Sequence, residues 1–447
     1  MDGVVLSRLL TAMTLAFHII FATIGVGMPL MIMIAEGLGI KNNNPKYIAM
    51  ARRFAKTFTI TVAVGVVTGT IIGLQLSLLW PSFMQLGGQV IALPLFMETF
   101  AFFFEAIFLS IYLYTWDRFK NPWIHWALNI PIIIGSTLSA LFITSVNSFM
   151  NTPEGFKVKN GVLVDIDPLQ AMFNASFFVR SFHVITTGGM TIAFCIASVA
   201  AVKLLRNKFP QDIDYHKKAL KMAMIIGLVF SLLTILAGDL SAKFLHNEQP
   251  EKLAAMEWHF DSHSKADLVL FGVLDEETQE VRGAIKIPGM LSFLADNSFD
   301  TTVKGLNDIP KDEQPPLIIH YFFDLMVFFG MFSFAVSVLY VIFLKFKKAV
   351  ATKQWMLYLI ALTGPLCMLA IEFGWFLAEM GRQPWLLRGY MKVAEGATHA
   401  DGVSLVLVLF GILYLILGFS CSYVLIRMFK DKPAASDVEQ YANGGVK

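Results

Sequence analysis

The chain has 447 residues, 56% of them apolar and 13% aromatic, with a mean hydropathy of +0.63; soluble domains carry about 45–50% apolar residues, so this is the composition of an integral membrane protein. A formal net charge of +2 provides no basic field for nucleic acid. The three cysteines, Cys195, Cys367 and Cys421, lie inside apolar runs with no CxxC or CxxCH, a pattern that signals neither a disulfide framework nor covalently attached c-type haem.

The apolar run after Arg8 is far longer than the h-region of a cleavable signal and has no clear cleavage site, so it is read as the first span. Runs of about 20 apolar residues cross a bilayer. Nine are predicted, at 9–36, 54–80, 92–116, 124–148, 176–204, 218–245, 317–345, 355–380 and 402–427. The fold class is an all-α polytopic membrane protein in which residues 1–447 form a single transmembrane domain. No fixed-period repeat is present.

Lys41, Lys46, Arg52, Arg53 and Lys56 follow span one, Arg118 and Lys120 follow span three, Lys203, Arg206 and Lys208 follow span five, and Lys345, Lys347, Lys348 and Lys353 follow span seven. The connection PSFMQLGGQ after span two carries no charge, and 149–175 has only Lys157 and Lys159 against three acids. Basic residues mark cytoplasmic connections, which puts the N-terminus outside and the tail bearing Arg427, Lys430 and Lys432 in the cytoplasm. Arg382, Arg388 and Lys392 in 381–400 break this bias and need another task. Residues 247–316 form an extracellular loop too long for a simple connection. Its opening, QPEKLAAMEWHF, reads as a short amphipathic helix with Lys252, Glu257 and Trp258, or equally as a solvated charged helix.

An ionisable side chain at the bilayer centre costs at least about 2.5 kcal/mol and is a functional candidate. His18 and His183 lie within spans, with His125 and His320 at span ends; the acids are Glu98, Glu105, Asp239, Asp324, Glu372 and Glu379, with Arg180 and Lys243 as basic partners. At 1.5 Å per residue, His18, His183, Met326, Glu98 and Glu379 all fall in the outer half of the membrane. Imidazoles on different helices facing a methionine and a carboxylate suit the axial ligands of iron porphyrins. Each histidine taken singly also suits an interhelical hydrogen bond, and a lone methionine suits core filling. Glu98 and Glu105, seven apart, share one face of span three about 10 Å apart, desolvated among phenylalanines. That suits a proton relay, or a pair satisfied by neighbouring helices. Glu372, Trp375 and Glu379 line one face of span eight.

GRQPW at 381–385, joined to Glu379, with ETFAFFFEAIFLSIYLYTWDRF at 98–119 and GLQLSLLWP at 73–81, resembles subunit I of cytochrome bd-type quinol oxidases, of the kind with a short quinol loop. The resemblance runs through all nine spans. It implies a bacterial cytoplasmic-membrane terminal oxidase that oxidises membrane quinol on the outer side and reduces O2 to water without pumping. It further implies two b-type haems plus haem d or a third b-type haem, a second polytopic subunit, and room for a small single-span one. By position, His183 and Met326 resemble the ligand pair of a low-spin haem, and His18 and Glu379 those of two high-spin haems. Lys252 and Glu257 match the quinol-binding residues, Glu98 and Glu105 the acids of proton delivery, and Trp375, Arg382, Gln383 and Trp385 the haem surroundings. Asp324 departs from relatives that carry arginine there beside the low-spin haem.

The residues alone leave two other classes open. A proton-coupled transporter would show inverted repeats with matching broken spans, which the sequence lacks. A b-type cytochrome relaying electrons without reducing O2 would share most of the same features.

Overall fold

The computed structural model describes residues 3–430 and 432–443. Among the described residues, nine helices are long and apolar enough to cross a membrane. They are labelled α1 (Gly3–Lys41), α2 (Pro45–Leu79), α3 (Pro81–Tyr114), α4 (Pro122–Asn151), α5 (Phe177–Arg206), α6 (Pro210–Glu248), α7 (Ile319–Phe346), α8 (Gln354–Met380) and α9 (Val403–Phe429). Each covers one of the runs expected from composition to within two residues at either end. Several extend past the apolar stretch, because apolarity reports the part within lipid while a helix ends where its capping does. The clearest correction is PSFMQLGGQ, read above as a connection: it is the first turns of α3, which starts at Pro81 with only Trp80 between it and the end of α2 at Leu79. Proline is favoured at a first helical position because its missing N–H has no intrahelical partner to lose. The same device, with an asparagine cap, starts α2 (Asn44, Pro45) and α4 (Asn121, Pro122).

The bundle has two distinct ends. At one, residues 152–176, 249–318 and 381–402 gather; at the other lie the basic connections and the tail. These are called the loop end and the tail end. Asp212 ties the tail down by accepting from the Ala434 and Ala435 amides at 2.6 and 2.8 Å, and Arg53 pairs with Asp437 at 2.6 Å. A carboxylate at a helix N-terminus satisfies orphan donors and the helix dipole together.

Helices α5, α6, α7 and α8 pack in a closed ring, with α5 diagonal to α7, while α1 packs on α2, α4 and α5, and α3 packs on α4. Helix α9 is peripheral, with Leu415 74% and Phe419 73% exposed, the apolar surface expected of a helix facing lipid.

The 249–318 segment is ordered and has its own core. The helix Pro250–Met256 is buried, not solvated, and stops before Glu257; Trp258 follows in a left-handed conformation, φ 47°. Two nested antiparallel strand pairs, Leu268–Leu270 with Ile285–Ile287 and Val273–Asp275 with Glu280–Arg282, form an extended hairpin. Leu253, Met256, Leu291 and Leu306 pack with Ile319 of α7 and Leu377 of α8, joining the loop core to the bundle.

One close helix contact joins α3 to α4. A Cβ on Gly135 would sit 2.9 Å from both the Cβ and the backbone nitrogen of Glu105 and 3.0 Å from the Ala101 carbonyl. Gly135→Val is expected to force α3 and α4 apart at a cost of about 1–3 kcal/mol. Its measure is a lower thermal unfolding midpoint of the purified protein; an unchanged midpoint would contradict this packing.

Candidate functional site

Four helices deliver the candidate iron ligands one apiece. His18 on α1 is half-buried and its Nδ1 lies 2.8 Å from Thr68 Oγ1 on α2. That contact leaves Nε2 as the ring nitrogen free to bind a metal. Gly69 sits beside the same ring, since a Cβ there would come within 3.2 Å of His18 Cε1. His183 on α5 and Met326 on α7 stand on diagonal helices of the four-helix ring. The Nδ1 of His183 is buried with no hydrogen-bond partner. Gly374 on α8 makes room for the Met326 thioether, its ideal Cβ falling 3.1 Å from Sδ. Among the described residues no three His, Cys, Asp or Glu side chains converge to hold a bare metal ion. Single ligands spread over separate helices suit iron whose other coordination positions are filled by a porphyrin.

Glu379, at the loop end of α8, accepts from Asn147 Nδ2 at 2.6 Å and pairs with Arg382 at 2.8 Å. Asn147 in turn accepts from Arg180 at 3.1 Å. Lys252 enters this group from the loop, donating to the Ala378 carbonyl at 3.2 Å, and Arg388 closes it through Glu251 at 2.8 Å. Two carboxylates, Glu251 and Glu379, thus face four basic groups, Arg180, Lys252, Arg382 and Arg388. Burial, aided by the neighbouring guanidinium of Arg180, holds the Lys252 ammonium well below the usual lysine range. Buried nitrogens of Arg180 (Nε) and Arg382 (Nη1) have no partner. An uncompensated buried cation is costly, so this cluster is fitted to an anion, and haem propionates have the required charge and fork geometry.

GRQPW acquires a local explanation. Any side chain at Gly381 would collide with the Lys252 stem, 2.6 Å from Cε, and with the Leu377 carbonyl. Arg382 holds Glu379, Gln383 accepts from Arg8 at 2.5 Å, and the Gln383-Pro384 peptide is cis. Trp385 begins a short strand paired with Met391–Lys392, and the Lys392 ammonium lies 5.5 Å from its ring centre. Trp375 is half-buried between Glu372 and Glu379 on α8. The Glu372 Oε1 has no partner.

Glu257 is separated from Lys252 in its surroundings although both belong to one short segment. It is 2% exposed, its Oε2 lacks a partner, and Asp324 is its charged neighbour. Burial, reinforced by Asp324, pushes the Glu257 carboxyl well above the usual range. Asp324 itself receives the Phe271 amide and lies 3.2 Å from His320 Nε2, while His320 Nδ1 meets the Met256 carbonyl at 2.8 Å and its ring stacks on Trp258. Two residues turn a helix by about 200°, so Asp324 points toward the loop and not along the Met326 direction.

The two acids of α3 each have a contact on α4. Glu98 accepts from Ser139 at 2.9 Å, and Glu105 abuts Gly135. Asp239 and Lys243 pair with each other. Sequence reasoning missed Asn147 and Ser139, since neutral amides and hydroxyls in apolar runs carry no signal of their own, and Glu251, a carboxylate in a charged loop where one more acid does not stand out. It also missed Glu36, which falls at the edge of the first apolar run.

Asp324→Ala is expected to detach the 268–287 hairpin from α7, since it removes both the Phe271 and the His320 contacts. Limited proteolysis of that hairpin should accelerate at least about tenfold, the equivalent of 1.4 kcal/mol in local opening. Cleavage at the parent rate would show that Asp324 does not anchor the loop.

The family model described as cytochrome bd terminal oxidase subunit I matches residues 6–433. In Bacillus subtilis (strain 168), a protein provisionally named cytochrome bd menaquinol oxidase subunit I is 43% identical over 439 residues, covering 98% of this chain and 99% of its own length. A second from that organism, cytochrome bd ubiquinol oxidase subunit 1, is 33% identical, covering 96% and 94%. The bd oxidase structure from Geobacillus thermodenitrificans superposes with a TM-score of 0.93 at 58% identity, covering 97% of this chain and 99% of the other.

Proposed function

The chain belongs to the family of cytochrome bd terminal oxidase subunit I, and on that premise we propose how its residues carry out quinol oxidation. It is a multi-pass membrane subunit of a respiratory quinol oxidase, completed by a subunit II.

His183 and Met326 would hold one haem between diagonal helices; His18 and Glu379 would each hold one of two further haems, for two b-type haems and a third that is haem d or b-type. Bound haem supplies one-electron storage and, where a coordination position stays open, the place for O2 reduction. The orphan His183 Nδ1 and the unbalanced Arg180, Lys252 and Arg382 group support this. Asn147 and Arg382 donate to the two oxygens of the Glu379 carboxylate, Oε1 and Oε2 respectively, and so set the orientation in which it would meet iron. Trp375, Gln383 and Trp385 would enclose this end of α8.

Lys252 and Glu257 would bind quinol beneath the loop, on the outer side if the basic tail end is cytoplasmic. Glu257 accepts a quinol hydroxyl proton only as a carboxylate. Because its carboxyl is held well above the ordinary range, the carboxylate fraction is still growing as pH rises past the usual carboxyl range. Quinol oxidation should therefore keep accelerating as pH is raised above the usual carboxyl range, and Glu257→Gln should remove that acceleration with haem content unchanged. A flat profile in the parent protein would reject Glu257 as the acceptor.

The observation that carries the proton side of the reading is that one helix, α4, touches three carboxylates in succession: Glu105 at Gly135, Glu98 at Ser139 and Glu379 at Asn147. Protons moving from the tail end along this seam would charge the membrane by about 2.3 kcal/mol per charge per 100 mV without a pumping cycle.

Purified with its partner, the protein should carry haem and consume O2 when given quinol, and His183→Ala should lose the low-spin b signal. Colourless protein would favour a transporter, haem without O2 uptake a relay cytochrome, and an intact b signal in the variant would refute the ligand assignment.

A further inference from the structure

We infer that Glu36, together with His125, Tyr112 and Asn129, is the station through which protons are taken from the tail end into the α3–α4 seam. The inference rests on the reading of that seam as the proton path. Glu36 is 3% exposed, His125 5%, and Tyr112 and Asn129 are fully buried. His125 Nδ1 lies 2.6 Å from Glu36 Oε1, and its Nε2 lies 2.9 Å from the Tyr112 carbonyl. The other carboxylate oxygen accepts from the Tyr112 hydroxyl and from Asn129 Nδ2, both at 2.9 Å.

Placement distinguishes this cluster from a simple clamp. Glu98, Glu105 and Tyr112 follow at seven-residue intervals on one face of α3, so each step is about 10 Å. Facing them on α4 are Ser139, Gly135 with the buried Ser136, and Asn129. The seam therefore continues without a change of face from Glu98 to the cluster. Glu36 lies eighteen residues beyond His18 on α1, about 27 Å further along the axis.

A clamp needs only neutral donors and acceptors, whereas this one buries an acid against an imidazole that can share a proton with it. The groups facing the pair are Arg52 from α2, in electrostatic range of Tyr112, and the Tyr112, Trp116 and Phe119 rings. Arg52 also covers the Trp116 ring, 4.5 Å from its centre, and pairs with Asp117, which brings charge and solvent to the cluster's outer edge. Asn129 Oδ1 is buried with no partner, an acceptor of the sort an ordered water fills. In each transfer a hydronium at the tail end gives up one proton: its O–H bond breaks, leaving water, as an O–H forms on Glu36 or an N–H on His125. The pair then gives up one proton, through water, to the Glu105 carboxylate, so that charge and protons balance.

The test uses the complete oxidase with its partner subunit. Glu36→Gln keeps the size of the side chain and one acceptor oxygen, and turns the other position into a donor that His125 Nδ1 can accept in its other tautomer. It is expected to lower quinol-driven O2 uptake about tenfold, with the haem spectrum and the rate of anaerobic haem reduction by quinol at parent values. Glu105→Gln is measured alongside. Parent-rate O2 uptake in the Glu36 variant with impairment in the Glu105 variant overturns the intake role and leaves the seam standing; parent rates in both overturn the seam. Should Glu36→Gln fail to assemble, Tyr112→Phe removes one hydroxyl that donates to the carboxylate and is expected to move the pH profile of O2 uptake by about one unit. An unmoved profile overturns the inference.

Discussion

Ionisable side chains carried into lipid must be paired or held neutral, and in this protein that constraint organises the bundle around α4. Its hydroxyl, amide and glycine positions lie where α3 and α8 present carboxylates. Ser139 serves Glu98, Gly135 admits the backbone beside Glu105, and Asn147 bridges Glu379 to Arg180. Without such neighbours each acid would be an isolated buried charge, and the helices presenting them would have no reason to keep their register.

The loop end obeys the same constraint with the opposite sign. Arg180, Lys252, Arg382 and Arg388 exceed their carboxylates, and the loop helix Pro250–Met256 brings one of these cations in from outside the bundle. That helix is held down through Met256, whose carbonyl meets His320, and through Trp258, whose ring stacks on it. Asp324 then links His320 to the Phe271 amide. The surroundings of the proposed quinol residues therefore depend on buried contacts that α7 makes through His320 and Asp324, six and two residues before the methionine.

Much of this was legible in the sequence. Apolar run length found all nine helices, because lipid imposes that length directly. The basic residues sorted the two ends. GRQPW and the spaced glutamates marked a candidate site, since an ionisable group in or beside an apolar run stands out. What stayed hidden was whatever depends on a second helix. Nothing in 129–147 distinguishes Asn129, Ser139 and Asn147 from ordinary polar residues until α1, α3 and α8 lie beside them. The helical start of α3 at Pro81 was hidden for a related reason: hydropathy measures burial in lipid, and these turns continue beyond the apolar stretch. Lys252 and Glu257 already stood out as candidates, but their division between a cationic cluster and an acidic one follows from how the loop folds back.

The central claim is spatial: redox chemistry sits toward the loop end, and protons reach it along α3 and α4 from the tail end. A density map of the intact, haem-loaded oxidase that locates the iron atoms tests it most directly. The account expects every iron in the loop-end half, one between His183 and Met326 and the others at His18 and Glu379. Iron found near Glu36 and His125, or ligated by none of these four residues, would contradict it.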